Sequence, residues 1–143
     1  MNLNRRGLLA SGAALGLGAS SLARPAVAQG SSTGGAPLKI GMITTLSGAG
    51  GYIGQDIRDA FQLAMEMEGG KLGGTPIQLL VEDDGFRPGQ GKQVAERFMK
   101  NERVRLLTGI IFSNILGAVV GDVLDSGGIY VSPNASPSNL AGR

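Results

Sequence analysis

The chain contains no cysteine, no histidine and no tryptophan, and aromatic residues make up 4% of its 143 positions. Without cysteine there is no disulfide framework, thiolate metal site, cysteine nucleophile or lipid-anchored amino-terminal cysteine. Without histidine the commonest general base and the commonest metal ligand are gone. Most catalytic triads and zinc sites are therefore excluded, and nothing in the composition calls for a metal or a cofactor. So few aromatic residues argue against a stacking platform for nucleic-acid bases.

Basic charge is scarce once the chain is divided. The 13 Lys+Arg and 11 Asp+Glu give a net charge of +2. Arg5, Arg6 and Arg24 fall in the first 28 residues, which hold no acid, leaving ten basic against eleven acidic groups beyond them. No basic footprint for nucleic acid remains.

Residues 1–28 have the three parts of a secretory signal: a basic start, an apolar run from Gly7 to Leu22, and the small-x-small site Ala26-Val27-Ala28, with cleavage expected before Gln29. Asn4-Arg5-Arg6-Gly7-Leu8-Leu9 looks like a twin-arginine signal, which marks export of folded protein to the periplasm. The apolar run of 16 residues is shorter than the roughly 20 that span a bilayer and holds Gly12, Gly16 and Gly18. Residues 29–37 are Gly/Ser/Thr-rich and read as a flexible tether.

From Leu38 onward strands and helices alternate. Leu38–Thr44, Ile77–Glu82, Arg105–Ile111 and Ile129–Ser132 are short apolar runs, continuous rather than alternating, as in parallel strands covered on both faces. Helices are expected over Gly54–Glu68, Gly89–Asn101 and Asn114–Ser126. Their apolar stripes are assigned to the core, the first consisting of Ile57, Phe61, Ala64 and Met65. Gly73-Gly74-Thr75-Pro76 reads as a turn. The order predicts an α/β fold with a doubly wound parallel sheet, which binds ligands beyond the carboxyl ends of its strands. Those ends are Thr45–Ile53, Asp83–Arg87, Phe112–Asn114 and Pro133–Ser138.

Three of these ends carry candidate chemistry. Ser47–Gly54 is a glycine-rich loop feeding a helix amino terminus, suited to an anion. It lacks the third glycine of a dinucleotide fingerprint and the Gly-Lys-Ser/Thr of a phosphate loop. Phe112-Ser113-Asn114 offers a hydroxyl that can cap the next helix or stand beside N–H groups that receive a carboxylate. Pro133–Ser138 presents hydroxyl and amide groups on a proline-stiffened loop. Asp83 and Asp84 are adjacent on an extended chain, point to opposite sides, and read as capping and solvated groups rather than a shared site. Ser47 lacks both the Gly-x-Ser-x-Gly elbow and an activating histidine.

Leu38–Gly48 (Leu-Lys-Ile-Gly-Met-Ile-Thr-Thr-Leu-Ser-Gly), Gly54-Gln55-Asp56 opening a helix, Pro76–Asp84 (Pro-Ile-Gln-Leu-Leu-Val-Glu-Asp-Asp) and Val131–Ser136 (Val-Ser-Pro-Asn-Ala-Ser) follow one another at natural spacing. In that order they resemble the start of the branched-chain amino-acid-type periplasmic binding proteins, the solute-binding components of ABC importers. The resemblance implies the first lobe of a type I periplasmic binding fold over residues 38–143, with no enzymatic activity. It also implies that the chain ends inside that lobe, before the hinge and the second lobe. Its partners would be a small amino-acid or organic-acid ligand and the ABC permease subunits at the membrane, with no nucleic acid and a monomeric state when full length. By position it assigns ligand contacts to Ser113 with Asn114, and to Asn134, Ala135 and Ser136. Tyr52 and Ile53 would line the side-chain pocket, joined by Phe112. The Asn134-Ala135-Ser136-Pro137-Ser138 loop looks like that of the subgroup taking aromatic or other organic acids, so a branched-chain amino acid is one of two expected ligand classes. A ligand-sensing domain on the same fold, or a small exported α/β enzyme, are the other readings, the second disfavoured by the missing histidine and cysteine.

Overall fold

The computed structural model describes residues 36–140. The expected export signal over 1–28 lies outside the described residues, as does the tether over 29–37 apart from its last two positions.

The first strand, β1 (Leu38–Thr44), has the predicted bounds and sits at the centre of a five-stranded sheet of order β2-β3-β1-β4-β5. Here β2 is Lys71–Leu72, β3 is Thr75–Asp83, β4 is Leu106–Thr108 and β5 is Ile129–Val131. Four strands run parallel, with Ile40 opposite Leu79 on one side and Leu106 on the other. The fold class is as expected, with one correction: β2 adds an antiparallel edge to β3. Gly73 and Gly74 have φ of 55° and 84°, the positive values needed at both central positions of a tight hairpin turn. The expected turn therefore closes a hairpin, and the strand after it starts at Thr75 rather than Ile77.

The three helices are α1 (Gly51–Met67), α2 (Pro88–Lys100) and α3 (Ser113–Asp125). Pro88 opens α2, where its missing N–H costs nothing. Side chains alternate along β1, so its two faces meet different helices. Ile43 joins Leu107 and the α2 and α3 residues Val94, Ala95, Phe98, Ile115, Val119 and Val123 in one buried cluster. Gly41 lets α2 approach on this face, since a Cβ there would stand 2.6 Å from the Phe98 ring. Arg97 of α2 reaches Glu82 of β3 at 2.6 Å, and Lys92 of α2 reaches Asp122 of α3 at 2.9 Å.

The opposite face carries α1. The stripe expected to be core is not: Ile57, Phe61 and Met65 are half-buried and Ala64 is exposed, while the buried residues of α1 are Gly51 and Gly54. The helix docks through its amino-terminal glycines, because a Cβ on Gly54 would lie 2.0 Å from the Thr45 carbonyl oxygen. The helix begins at Gly51, three residues before the expected start, with Gly50 as its N-cap.

Two strands are shorter than their apolar runs. Gly109, with φ of 99°, turns the chain out of the sheet, so β4 ends at Thr108 instead of Ile111. The strand β5 stops at Val131, and a 3₁₀ turn over Ser138–Leu140 follows. Among the described residues no helix is long and apolar enough to cross a membrane.

Candidate functional site

The carboxyl ends of β1, β3, β4 and β5 bring four loops to one edge of the sheet, and specific contacts tie each loop to the next. The first tie is the pair Asp83 and Asp84. Asp83 Oδ1 accepts hydrogen bonds from the Leu46 N–H and the Gly85 N–H, both at 2.8 Å. Asp84 Oδ1 accepts from the Thr45 hydroxyl at 2.6 Å and the Phe86 N–H at 2.9 Å. The two carboxylates point apart, as expected, and form no shared site. They stitch the loop after β1 to the loop after β3.

The expectation that both are solvated fails for Asp84, which is fully buried, its Oδ2 having no hydrogen-bond partner among the described residues. Burial pushes its carboxyl above the usual value of 3.8, partly offset by the Thr45 and Phe86 hydrogen bonds. Partial burial also acts to raise Asp83, but hydrogen bonds from Leu46, Ser47 and Gly85 outweigh it and hold Asp83 below the usual value.

The second tie is aromatic. Phe86 and Phe112 meet edge to face, with ring centroids 4.5 Å apart and planes at 77°. The loop before α1 closes over the same ring, since a Cβ on Gly50 would stand 2.9 Å from Phe112 Cζ. The third tie joins the last two loops. The Asn134 side-chain amide donates to the Ile111 carbonyl at 3.0 Å, and the Ala135 N–H donates to the Ile110 carbonyl at 3.4 Å. Ala135 is buried and the Ser132 hydroxyl donates to its carbonyl, which leaves Asn134 and Ser136 at the surface. Below this loop the Ile110 N–H donates to the Tyr130 hydroxyl at 3.0 Å. Burial pushes the Tyr130 phenol up to about 12, so it stays neutral.

Ser113 and Asn114 are exposed in the first turn of α3. The expected capping role of Ser113 is not realised. Ser113 is already helical, Phe112 is the N-cap, and no side chain caps the helix. The first-turn N–H groups and the Ser113 hydroxyl thus stand at the edge without a side-chain cap.

Of the sequence-predicted residues, Phe112, Asn134 and Ala135 are joined by contacts across loops, and Ser113, Asn114 and Ser136 flank them. Tyr52 and Ile53 lie in the first turn of α1. Tyr52 is 63% exposed, and among the described residues no aromatic pairing or side-chain hydrogen bond connects it to the other loops. Residues missed from sequence are Thr45, Asp84, Phe86 and Tyr130. For Phe86 a signal existed: an aromatic between Gly85 and Arg87-Pro88 cannot enter the helix core and sits at a strand's carboxyl end. Among the described residues no group of three acidic side chains is placed to hold a metal ion.

Known proteins agree with this architecture. The family model described as periplasmic binding protein matches residues 37–142. An ABC transporter substrate-binding protein from Sphaerobacter thermophilus is 30% identical with a TM-score of 0.69, over 73% of this chain and 28% of that one. A solute-binding protein of an R. palustris ABC transporter, solved in complex with benzoate, is 28% identical with a TM-score of 0.67, over 70% of this chain and 28% of that one. The branched-chain amino acid transporter substrate-binding protein LivJ from Streptococcus pneumoniae, solved with isoleucine, shares the fold at 22% identity and a TM-score of 0.68, over 73% of this chain and 31% of that one. The chain thus spans under a third of the length of these structures. No curated protein matches it in sequence. The family consists of solute-binding components of transporters rather than enzymes. With the family model covering nearly all the described residues, the chain belongs to the periplasmic binding protein family.

Proposed function

We propose that the protein is an exported solute-binding component of an ABC importer, in which these residues form the amino-terminal lobe and one wall of the ligand cleft. The observation that carries this is the interlocked set of four loops at the carboxyl edge of the parallel sheet, the position where open α/β sheets bind ligands. The ligand is a small carboxylate-bearing solute. Its carboxylate meets the Ser113 hydroxyl and the uncapped N–H groups of α3, an arrangement that favours negative charge. Asn134, Ala135 and Ser136 supply amide, backbone and hydroxyl contacts. Phe112 lines the pocket for the rest of the ligand, with Tyr52 and Ile53 at its mouth. The residue 1–28 signal delivers the folded protein to the periplasm by the twin-arginine route, where it works as a monomer and hands its ligand to the permease.

A second ligand class, aromatic and other organic acids in place of branched-chain amino acids, is favoured by the Phe86–Phe112 pair at the cleft and by the likeness to the protein solved with benzoate.

The test is a thermal-shift screen on ligand-free protein expressed from the full reading frame. The panel comprises branched-chain amino acids, benzoate-type acids, short dicarboxylates, amides and urea. A ligand at 100 times its Kd adds about 2.7 kcal/mol of stability. An upward shift with one carboxylate class is expected. A well-folded sample that responds to no compound would refute the transport reading.

A further inference from the structure

The residue with the strangest backbone at the cleft is an exposed aromatic. Phe86 has φ of 60°, a left-handed conformation that a bulky side chain adopts only under compulsion. The compulsion is visible. The Gly85 N–H is held by Asp83 Oδ1, the Phe86 N–H by Asp84 Oδ1, and the Arg87 N–H by the Asp84 carbonyl at 2.9 Å. This network includes a fully buried carboxylate with an unpartnered oxygen. The fold therefore spends two unfavourable features, a strained backbone and a buried acid, on a ring that remains 52% exposed. Burial of its own apolar surface does not account for that cost, and strained residues held this firmly cluster at ligand sites.

We infer that Phe86 is a ligand-contacting residue that, with Phe112, forms an aromatic wall selecting a planar aryl carboxylate over an aliphatic amino acid. The inference deepens the solute-binding reading above and rests on it. The edge-to-face pair leaves much of Phe86 open beside the Phe112 ring. A third ring entering there gains aromatic geometry as well as buried area, whereas an aliphatic side chain gains area alone. Phe112 precedes Ser113 directly, so a ring against this wall has its carboxylate within the reach of the α3 amino terminus. Nothing in the sequence motifs assigns Phe86, because it follows the Asp-Asp pair in a segment that otherwise reads as a helix lead-in.

Calorimetric titration of ligand-free, full-reading-frame protein with benzoate and with L-leucine tests this, using wild type, Phe86→Leu and Phe86→Gly. Wild type is expected to bind benzoate more tightly than leucine. Phe86→Leu keeps apolar bulk but loses the ring, and is expected to weaken benzoate about two- to tenfold while leaving leucine unchanged. Phe86→Gly relieves the left-handed strain, so its unliganded Tm is expected to be no lower than wild type although benzoate affinity falls. A merely structural role would lower Tm and both affinities together. Tighter leucine binding, or a Phe86→Leu effect equal on both ligands, overturns the aryl wall and leaves the solute-binding reading intact. Binding of neither compound, with no other carboxylate responding in the screen, overturns both.

Discussion

Each face of the sheet is covered by helices that carry an apolar stripe, yet only one face is densely packed. On the α2–α3 side, Phe98, Ile115, Val119 and Val123 are each almost wholly buried against Ile43 and Leu107. On the α1 side, Ile40 and Met42 are buried at the middle of the sheet, but Ile129 and Val131 on β5 are 61% and 55% exposed. The difference lies in what covers each stripe. The helices α2 and α3 pack on each other as well as on the sheet, so each closes the flank of the other. Among the described residues α1 has no helix beside it, and its glycine-mediated docking holds only its first turns close. Periodicity reports that a helix has an apolar side; how much of that side leaves water depends on neighbours.

The comparison can be broken with a matched pair of truncations. Phe98→Ala on α2 should cost about 3–5 kcal/mol, the usual range for emptying a fully packed aromatic site. Phe61→Ala on α1, a half-buried ring of the same size, should cost about 1 kcal/mol. Urea denaturation of the two variants reads the difference. Equal losses would mean that the α1 face is as tightly packed as its opposite.

A second variant sharpens the docking argument. Gly54→Ala places a methyl 2.0 Å from a backbone oxygen that cannot swing away, unlike the side-chain methyl facing Gly91. It should destabilise by about 1–3 kcal/mol by overpacking, despite the better helix propensity of alanine. A stabilised Gly54→Ala protein would show that α1 is free to lift from β1. Gly117, exposed on α3 with open space around it, is the control at which alanine should be neutral or better.

These contrasts mark what was legible in the sequence. Continuous apolar runs located all four parallel strands, and β1 to the residue, but the expected cover on both faces holds only for β1 and β4, since no residue of β3 or β5 is fully buried. The hairpin edge was not legible: Lys71 and Leu72 are too few for a period, and only the paired glycines hint at them. The end of β4 was missed because Ile110 and Ile111 continue the apolar run, and the turn at Gly109 is a backbone event with no hydropathy signature. At the site, the loops that carry Phe112, Ser113 and Asn134 were found from their place after strands. Asp84 and Thr45 were not, since their importance lies in a contact across 39 positions. Phe86 has a signal in its place between Gly85 and Arg87-Pro88 at a strand's carboxyl end, but the left-handed φ that holds its ring there cannot be read from residue type.

The smallest expected effect separates the two carboxylates that neighbour each other in sequence. Asp84 is raised above its unfolded value of 3.8 by burial, so the folded state holds its proton more tightly. Stability from this group is present at and below pH ~4 and declines as pH rises through the raised folded value, after which it is constant. Asp83 is lowered, so its contribution is present above pH ~4 and is lost as pH falls through its folded value. The two therefore act in separate windows with opposite slopes. Asp84→Asn removes the first window: Oδ1 of the amide still accepts from Thr45 and Phe86, and no charge is buried. Chemical denaturation from pH 4 to 7 should show a flatter profile than wild type and a stability at pH 7 that is equal or higher. An Asp84→Asn protein that keeps the wild-type slope would place the titrating group elsewhere. One that is markedly weaker at pH 7 would mean that the buried Oδ2 accepts a hydrogen bond after all, and that the negative charge beneath Phe86 contributes to holding the loop.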